Sequence, residues 1–92
     1  MGTGIMQNGR YCYLCGTYKE PFELHHCMNG RPNRQLSDKY GLVVYLCPTC
    51  HRLVHAEIEL RLQLKQEAQR TAMHYYDWNF DDWRERFGKN YL

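Results

Sequence analysis

The ten residues from Leu46 to His55 constrain the fold of this chain more than any other stretch. They read Leu-Cys-Pro-Thr-Cys-His-Arg-Leu-Val-His, so two thiols and two imidazoles lie within nine positions. On a helix that begins near Pro48, the side chains of His51 and His55 project from one face, because residues four apart are neighbours on a helix. This spacing is typical of metal ligands.

A second cysteine pair near the start of the chain supplies the other half of a tetrahedral site. Cys12 and Cys15 lie in the sequence Tyr-Cys-Tyr-Leu-Cys-Gly, a zinc-knuckle pattern in which the glycine lets the backbone fold its amides toward sulfur. Cys47 and Cys50 form the matching pair downstream. Ordinary buried cysteines are the weaker interpretation because the two pairs occur together. The four thiols therefore predict a structural zinc site.

The composition fits a small domain that a metal helps to hold together. Ninety-two residues bury a smaller fraction of their surface than a larger domain does, and five cysteines with five histidines indicate metal binding. The odd cysteine count and the lack of a signal-peptide pattern favour a reducing cytoplasm over a secreted disulfide framework. No apolar run is long enough to span a membrane. The net charge of +2 permits nucleic-acid binding without indicating it.

The first part of the chain predicts an arm followed by a short strand. Residues 1–10 contain three glycines and no apolar period, so we expect a flexible N-terminal arm outside the core. Phe22 and Leu24 alternate with polar residues, as in a half-buried strand. Such a strand would project His25 and His26 to opposite sides, so that one imidazole can bind a metal while the other stays free.

The chain then predicts a loop and a second strand. Residues 29–38 are rich in Asn, Gly, Arg, Pro and Ser, which indicates an exposed basic loop that carries Arg31 and Arg34. Residues 42–46 are β-branched and apolar with one tyrosine, so they predict a strand that leads to Cys47.

Residues 57–92 are expected to form a helical extension packed on the core. Apolar residues four apart, with Glu, Gln, Lys and Arg between them, predict a helix over residues 57–76 that a break separates from the preceding one. Asn79, with Asp82 three residues later, predicts a capped short helix that Gly88 ends. Four aromatic residues are expected to pack on the core, with base stacking as the alternative: Trp78, Phe80, Trp83 and Phe87.

Taken together, these motifs resemble the HNH endonucleases of the ββα-metal class, in particular small phage and prophage members with a four-cysteine zinc site. The resemblance is carried by Cys12-x-x-Cys15, Glu23-Leu24-His25-His26, Leu46-Cys47-Pro48-Thr49-Cys50-His51 and His55. It implies a small α+β fold with a ββα-metal (HNH) core over residues 11–56, a four-cysteine structural zinc and a helical C-terminal extension over residues 57–92.

The resemblance implies a role for each matched residue. His25 would bind a catalytic ion together with His51 and His55, and His26 would be the general base that activates water. Glu23 would support the site as a hydrogen-bond acceptor. The catalytic ion would be Mg2+, Mn2+, Ni2+ or Zn2+. The four cysteines would bind a separate structural Zn2+, whose closed thiolate shell leaves it no catalytic role.

The implied activity is hydrolysis of phosphodiester bonds in DNA, by nicking or double-strand cleavage, in the cytoplasm of a bacterial host cell. Arg31, Arg34 and Arg52 are expected to hold the DNA backbone. A chain of this size has little surface for reading a long site. Specificity would therefore come from a homodimer, from a phage packaging or recombination partner, or from DNA shape.

One position departs from the family's pattern. Leu42 occupies the place of the central asparagine, nine residues before His51. Either Asn33, Asn29 or a backbone group substitutes for it, with Asn33 as the named candidate, or the site is slower or inactive. The alternative function is a non-catalytic zinc module that binds DNA or a protein partner. In that alternative the histidines are polar residues around a zinc ribbon, or one replaces a cysteine in a mixed site to which Cys27 adds a ligand.

Overall fold

The computed structural model of the protein describes residues 4–30 and 32–92. Its elements, in chain order, are β1 (Glu23–His26), α1 (Asn33–Tyr40), β2 (Val43–Leu46), α2 (Pro48–Ala56), α3 (Ile58–Tyr76) and α4 (Phe80–Phe87). The described chain is therefore a small α+β fold with a two-stranded sheet, as the sequence predicts, and it has four helices where the sequence predicts three. No helix in these ranges is both long and apolar enough to cross a membrane.

The sheet sorts the two adjacent histidines of β1 to opposite faces. β1 pairs antiparallel with β2, and His25 lies opposite Val44 while His26 lies opposite Val43. Side chains alternate along a strand, so His25, Val44 and Leu46 share the face that is buried in the core. His26 points to the other face. Both predicted strands are present, and the separation of the two imidazoles follows from their alternation.

The prediction that residues 29–38 form a loop is wrong, because α1 occupies Asn33–Tyr40. Leu36 and Tyr40 are four apart and pack against the core. Buried Ser37 joins the helix to the sheet, since its hydroxyl donates to the Met28 carbonyl over 2.7 Å and accepts from the Met28 amide over 3.1 Å. The turn-forming residues that suggested a loop lie mostly before the helix and in its first turn.

Residues 4–10 of the predicted arm lie against the sheet rather than outside the core. Ile5 and Met6 pack on the core, and the Ile5 amide donates to the Gly41 carbonyl over 2.9 Å. The Oε1 atom of Gln7 accepts from the Tyr45 amide over 2.6 Å. An unpaired strand edge leaves amides without partners, and Gln7 satisfies one of them. The expectation for the arm is therefore wrong for these residues.

The helical extension packs on the core as expected. Leu64, Ala68 and Ala72 form a four-residue stripe along α3 and belong to the same buried cluster as Val44 and Leu46. This stripe makes the extension part of one continuous core with the sheet.

The short last helix also begins and ends as expected. Asn79 and Asp82 form a capping box, and Gly88 ends α4 in the left-handed conformation with φ of 80°. Trp83 and Phe87 are buried and their rings stack with centroids 4.2 Å apart. Phe80, in contrast, is 47% exposed, so the expectation that it packs on the core is wrong.

Candidate metal centres

The two cysteine pairs meet in one cluster. One sulfur atom from each of the four residues lies within 4.8 Å of the other three, and the residues are Cys12, Cys15, Cys47 and Cys50. Each pair folds its backbone onto its first sulfur: the Cys15 amide lies 3.5 Å from Cys12 Sγ, and the Cys50 amide lies 3.5 Å from Cys47 Sγ. The geometry can hold a metal ion and is consistent with a structural zinc.

The first turn of this cluster depends on the backbone conformation of a glycine. Gly16 adopts φ of +79°, a conformation that residues with a Cβ rarely adopt, and its amide donates to the Cys12 carbonyl over 2.9 Å. The second turn begins α2 instead: Cys47 is its N-cap residue and Pro48 its first residue. The sulfur of Cys47 thus caps the helix that carries His51 and His55.

The thiols of the cluster differ in how easily they ionise. Burial is the largest influence on Cys12 and raises its pKa, but backbone amides of Cys15, Cys47 and Leu14 together lower it to about 6. Burial and the neighbouring thiols raise the pKa of Cys50 well above its usual value. The surroundings thus favour the thiolate form of Cys12 and disfavour that of Cys50. A Zn2+ ion would offset the repulsion between neighbouring thiolates, because it binds the deprotonated form of every thiol.

The fifth cysteine lies apart from both ligand clusters. Cys27 is 1% exposed, and its thiol lies 3.5 Å from the sulfur of Met6. Burial raises the pKa of Cys27 to about 12, with a contribution from the Glu67 carboxylate. Cys27 therefore remains a neutral, packed thiol, and the structure gives no support to a mixed site that includes it.

Three histidines from β1 and α2 form a second cluster. One ring nitrogen each of His25, His51 and His55 lies within 4.8 Å of the others. His25 comes from β1, whereas the other two lie one turn apart on α2, with their Nε2 atoms 3.1 Å apart. The Nε2 atom of His25 is buried and has no hydrogen-bond partner. Among the described residues, every other buried side-chain nitrogen or oxygen has one.

That unpartnered nitrogen fits a metal ligand. A buried polar atom without a partner costs about 1 to 3 kcal/mol, so a native protein rarely keeps one without a use for it. Burial lowers the pKa of His25 to about 4, and repulsion from His51, His55 and His26 adds to the effect. His25 is therefore neutral near pH 7, which is the form that binds a cation.

An acidic residue holds the second histidine of the cluster. The Nδ1 atom of His51 lies 2.6 Å from Oε1 of Glu23. A carboxylate can only accept, so Nδ1 donates and Nε2 is left with the lone pair on the side of His55. This is how proteins commonly fix the ring of a metal-binding histidine. Glu23, the predicted supporting residue, therefore contacts one of the three clustered histidines, and its role in metal binding stays a prediction.

His26 faces the same cleft but takes no part in the cluster. A cleft of about 230 Å³ is lined by Leu24, His25, His26, Asn29, Arg34, His51 and His55. The Nε2 atom of His26 lies 2.8 Å from Oδ1 of Asp38 on α1. Sequence reasoning missed Asp38, because it lies twelve residues away in a segment read as a loop. No local spacing in the sequence relates Asp38 to His26, so no signal of this kind could have identified it.

The structure places the predicted DNA-contacting arginines unequally. Arg34 lines the cleft with an exposed side chain. Arg52 is exposed on α2 but is not among the residues that line the cleft. Arg31 lies outside the described residues. Of the three arginines, only Arg34 therefore has a described position beside the histidines.

The position of the expected asparagine is filled by a core side chain. Leu42 is fully buried, and its carbonyl accepts from the Cys27 amide over 3.0 Å. Asn33 is half-buried at the start of α1 and does not line the cleft, whereas Asn29 does. Asn33 therefore has no described contact that would make it a substitute.

Comparisons with known proteins identify no relative of this chain. No protein-family model matches it, and no curated protein and no solved structure is significantly similar to it. The function must therefore be inferred from the geometry of the two clusters and from the sequence motifs that form them.

Proposed function

We propose that this protein is a metal-dependent DNA endonuclease of the HNH type that hydrolyses phosphodiester bonds. The observation that carries the proposal is the arrangement of four histidines around one cleft. Three of them converge as His25, His51 and His55, and the fourth, His26, lines the same cleft outside the cluster. A metal site with a separate base beside it is well suited to the hydrolysis of phosphodiester bonds.

The three converging histidines would hold the catalytic cation. A bound divalent cation stabilises the negative charge that develops on the phosphate and on the departing oxygen. The cluster presents only nitrogen from the protein and borders an open cleft, so ligand positions remain for phosphate and water. Imidazole ligands suit Zn2+, Ni2+ and other transition metals, and Mg2+ or Mn2+ are further cations to test.

His26 would take a proton from the attacking water. Its Nε2 atom is paired with Asp38, so the other ring nitrogen is the one that can accept a proton. Arg34 would contact the DNA backbone, because its exposed guanidinium lines the cleft and matches the geometry of a phosphate. Most exposed charges on a small domain are only solvated. Arg34 is a better candidate than Arg52 because it lines the cleft and Arg52 does not.

The four-cysteine zinc would act on the structure alone. It would join the knuckle at Cys12 and Cys15 to the start of α2 at Cys47 and Cys50. His51 directly follows this joint. The zinc would therefore hold in place the helix that supplies two of the three catalytic-ion ligands.

The test of the proposal is conversion of supercoiled plasmid to nicked or linear DNA by the purified chain, with Mg2+, Mn2+, Ni2+ or Zn2+ added in turn. We expect cleavage with at least one of these ions and none with a chelator that spares the structural zinc. His26→Ala should lower the rate by roughly 100-fold to 10,000-fold, the usual contribution of a general base, with zinc content and melting temperature unchanged.

The matched control is His74→Ala, which removes an exposed histidine on α3 that belongs to neither cluster. This variant should cleave like the wild-type protein. If plasmid, single-stranded and branched DNA all stay intact with every ion, the endonuclease proposal is wrong. A non-catalytic zinc module would then be the better description.

A further inference from the structure

Asp38 is the side chain that makes the described hydrogen bond to the His26 ring. Its Oδ1 atom lies 2.8 Å from His26 Nε2, and the two side chains are 62% and 14% exposed, respectively. The contact joins α1 to the face of the sheet that points away from the buried core. Within the described ranges, this carboxylate has no other side-chain partner.

We infer that Asp38 is a positioning residue for His26 and takes the part expected of the central asparagine. The inference rests on the proposed function, because it assigns a hydrogen-bond partner to the general base of that function. It adds a residue that neither the sequence motifs nor the resemblance contains. Its action is to fix the orientation and the tautomer of the imidazole.

The chemistry of the contact determines that tautomer. An ionised carboxylate accepts hydrogen bonds and cannot donate them, so the hydrogen lies on His26 Nε2. In a neutral imidazole the other nitrogen, Nδ1, then carries the lone pair. A carboxylate that holds a histidine in the tautomer needed for proton abstraction is a recurrent arrangement in hydrolases.

The fold holds Asp38 in place from both sides. Ser37, its neighbour, is fully buried and exchanges two hydrogen bonds with the backbone of Met28. The Asp38 carbonyl accepts from the Gly41 amide at the end of α1. α1 is thereby fixed to the end of β1, two residues beyond His26. The backbone of Asp38 is therefore anchored although its carboxylate is exposed.

The other candidates for this role lie elsewhere. Leu42 is fully buried and apolar, so it can donate or accept nothing through its side chain. Asn33 and Asn29 have no described hydrogen bond to His26, whereas Asp38 has one. Asp38 alone among these residues has the contact.

The test compares Asp38→Ala with Asp38→Asn in the plasmid-cleavage reaction. Asp38→Ala leaves the base present but frees its ring, so we expect it to lower kcat by about 10-fold to 100-fold, less than the loss of the base itself can cost. KM should stay within about twofold, because the ring acts in the chemical step and not in DNA binding. Asp38→Asn should restore most of kcat, since an amide oxygen can still accept from Nε2.

The matched control is Asp81→Ala, which removes an exposed aspartate on α4 that pairs with Arg84. It makes the same chemical change and the same change in net charge away from the cleft. We expect its kcat to equal that of the wild-type protein. A loss of kcat as large as that of Asp38→Ala would mean that net charge is responsible and would overturn the inference.

A second readout does not depend on activity. Nitrogen-15 NMR of the histidine rings, with His26 assigned by its loss in His26→Ala, should show the Nε2–H tautomer in the wild-type protein and in Asp38→Asn. Asp38→Ala should populate both tautomers. An Nδ1–H tautomer in the wild-type protein would overturn the inference even if Asp38→Ala failed to fold.

The two proposals fail in different ways. A wild-type protein that cleaves no DNA contradicts the proposed function. Wild-type cleavage that Asp38→Ala leaves unchanged contradicts only the role of Asp38.

Discussion

The Nδ1 atom of His51 lies 2.6 Å from the Oε1 atom of Glu23, and this contact links α2 to β1 beside the three-histidine cluster. His51 is half-buried and Glu23 is about half exposed. The hydrogen bond therefore contributes little to the free energy of unfolding. Its effect should appear in metal binding, because it fixes the ring whose other nitrogen lies 3.1 Å from His55.

Glu23→Ala should weaken binding of a divalent ion to the three histidines by about 10-fold to 100-fold, the usual cost of losing such a partner. Titration calorimetry of the zinc-loaded protein with Ni2+ or Mn2+ measures this affinity. Glu20→Ala is the control, because Glu20 is an exposed acid whose described ion pair is with Arg10. Equal affinities for the two variants would contradict the assigned role of Glu23.

Cys50→Ser should abolish tight zinc binding and lower the melting temperature, because three thiolates and a weakly basic hydroxyl do not complete the tetrahedral shell. Cys27→Ser should keep its zinc, since Cys27 lies outside the cluster. Elemental analysis of dialysed protein gives the zinc content, and calorimetry gives the melting temperature. Zinc retained by Cys50→Ser but lost from Cys27→Ser would reverse the assignment.

The free energy of unfolding should fall as pH decreases from about 6.5 to about 4, in the absence of added divalent ions. The pKa of His25 is lowered from 6.5 to about 4 in the fold by burial first and by the neighbouring histidines second. The unfolded chain then binds the proton in this window and the folded chain does not. The contribution of His25 to the free energy of unfolding is therefore fully present above pH 6.5, and it declines by up to about 3 kcal/mol toward pH 4.

Urea unfolding at several pH values tests this dependence, with His25→Gln for comparison. Zinc release from the cysteines affects both proteins alike, so the difference between their pH profiles isolates His25. A profile that is identical for the wild-type protein and His25→Gln would mean that the buried imidazole does not resist protonation.

Gln69→Ala should destabilise the protein by about 1 to 3 kcal/mol, because it leaves buried polar groups without partners. Gln69 is fully buried, its Oε1 accepts from the Tyr91 amide and its Nε2 donates to Asn90 Oδ1, both over 2.8 Å. Urea unfolding measures the loss. Gln63→Ala is the control, since Gln63 is exposed on the same helix, and an equal loss there would contradict the importance of the buried contacts.

The parts of the site that the sequence predicts are those fixed by local spacing. Cys12 with Cys15, and Cys47 with Cys50, are three apart, and His51 with His55 are one helical turn apart. The strand alternation at His25 and His26 is local as well. The structure brings the four cysteines together and the three predicted histidine ligands together. Their ionic occupants and the role of His26 stay predictions.

Asp38 could not be identified in this way, because its contact with His26 depends on α1. The turn-forming residues around Gly30 and Pro32 concealed that helix, and its stability comes from tertiary contacts of Ser37 and Leu36. The packing of Ile5 and Met6 on the core could not be predicted from the sequence either. Nothing in a glycine-rich segment indicates that β2 has an edge in need of partners.

The central claim is that α2 carries ligands of two separate metal sites, one structural and one catalytic. Anomalous diffraction from crystals soaked in Mn2+ or Ni2+ tests it most directly. We predict a zinc peak among Cys12, Cys15, Cys47 and Cys50, and a second peak of the soaked ion on His25, His51 and His55. A single metal peak, or a soaked ion bound without His25, would contradict the account.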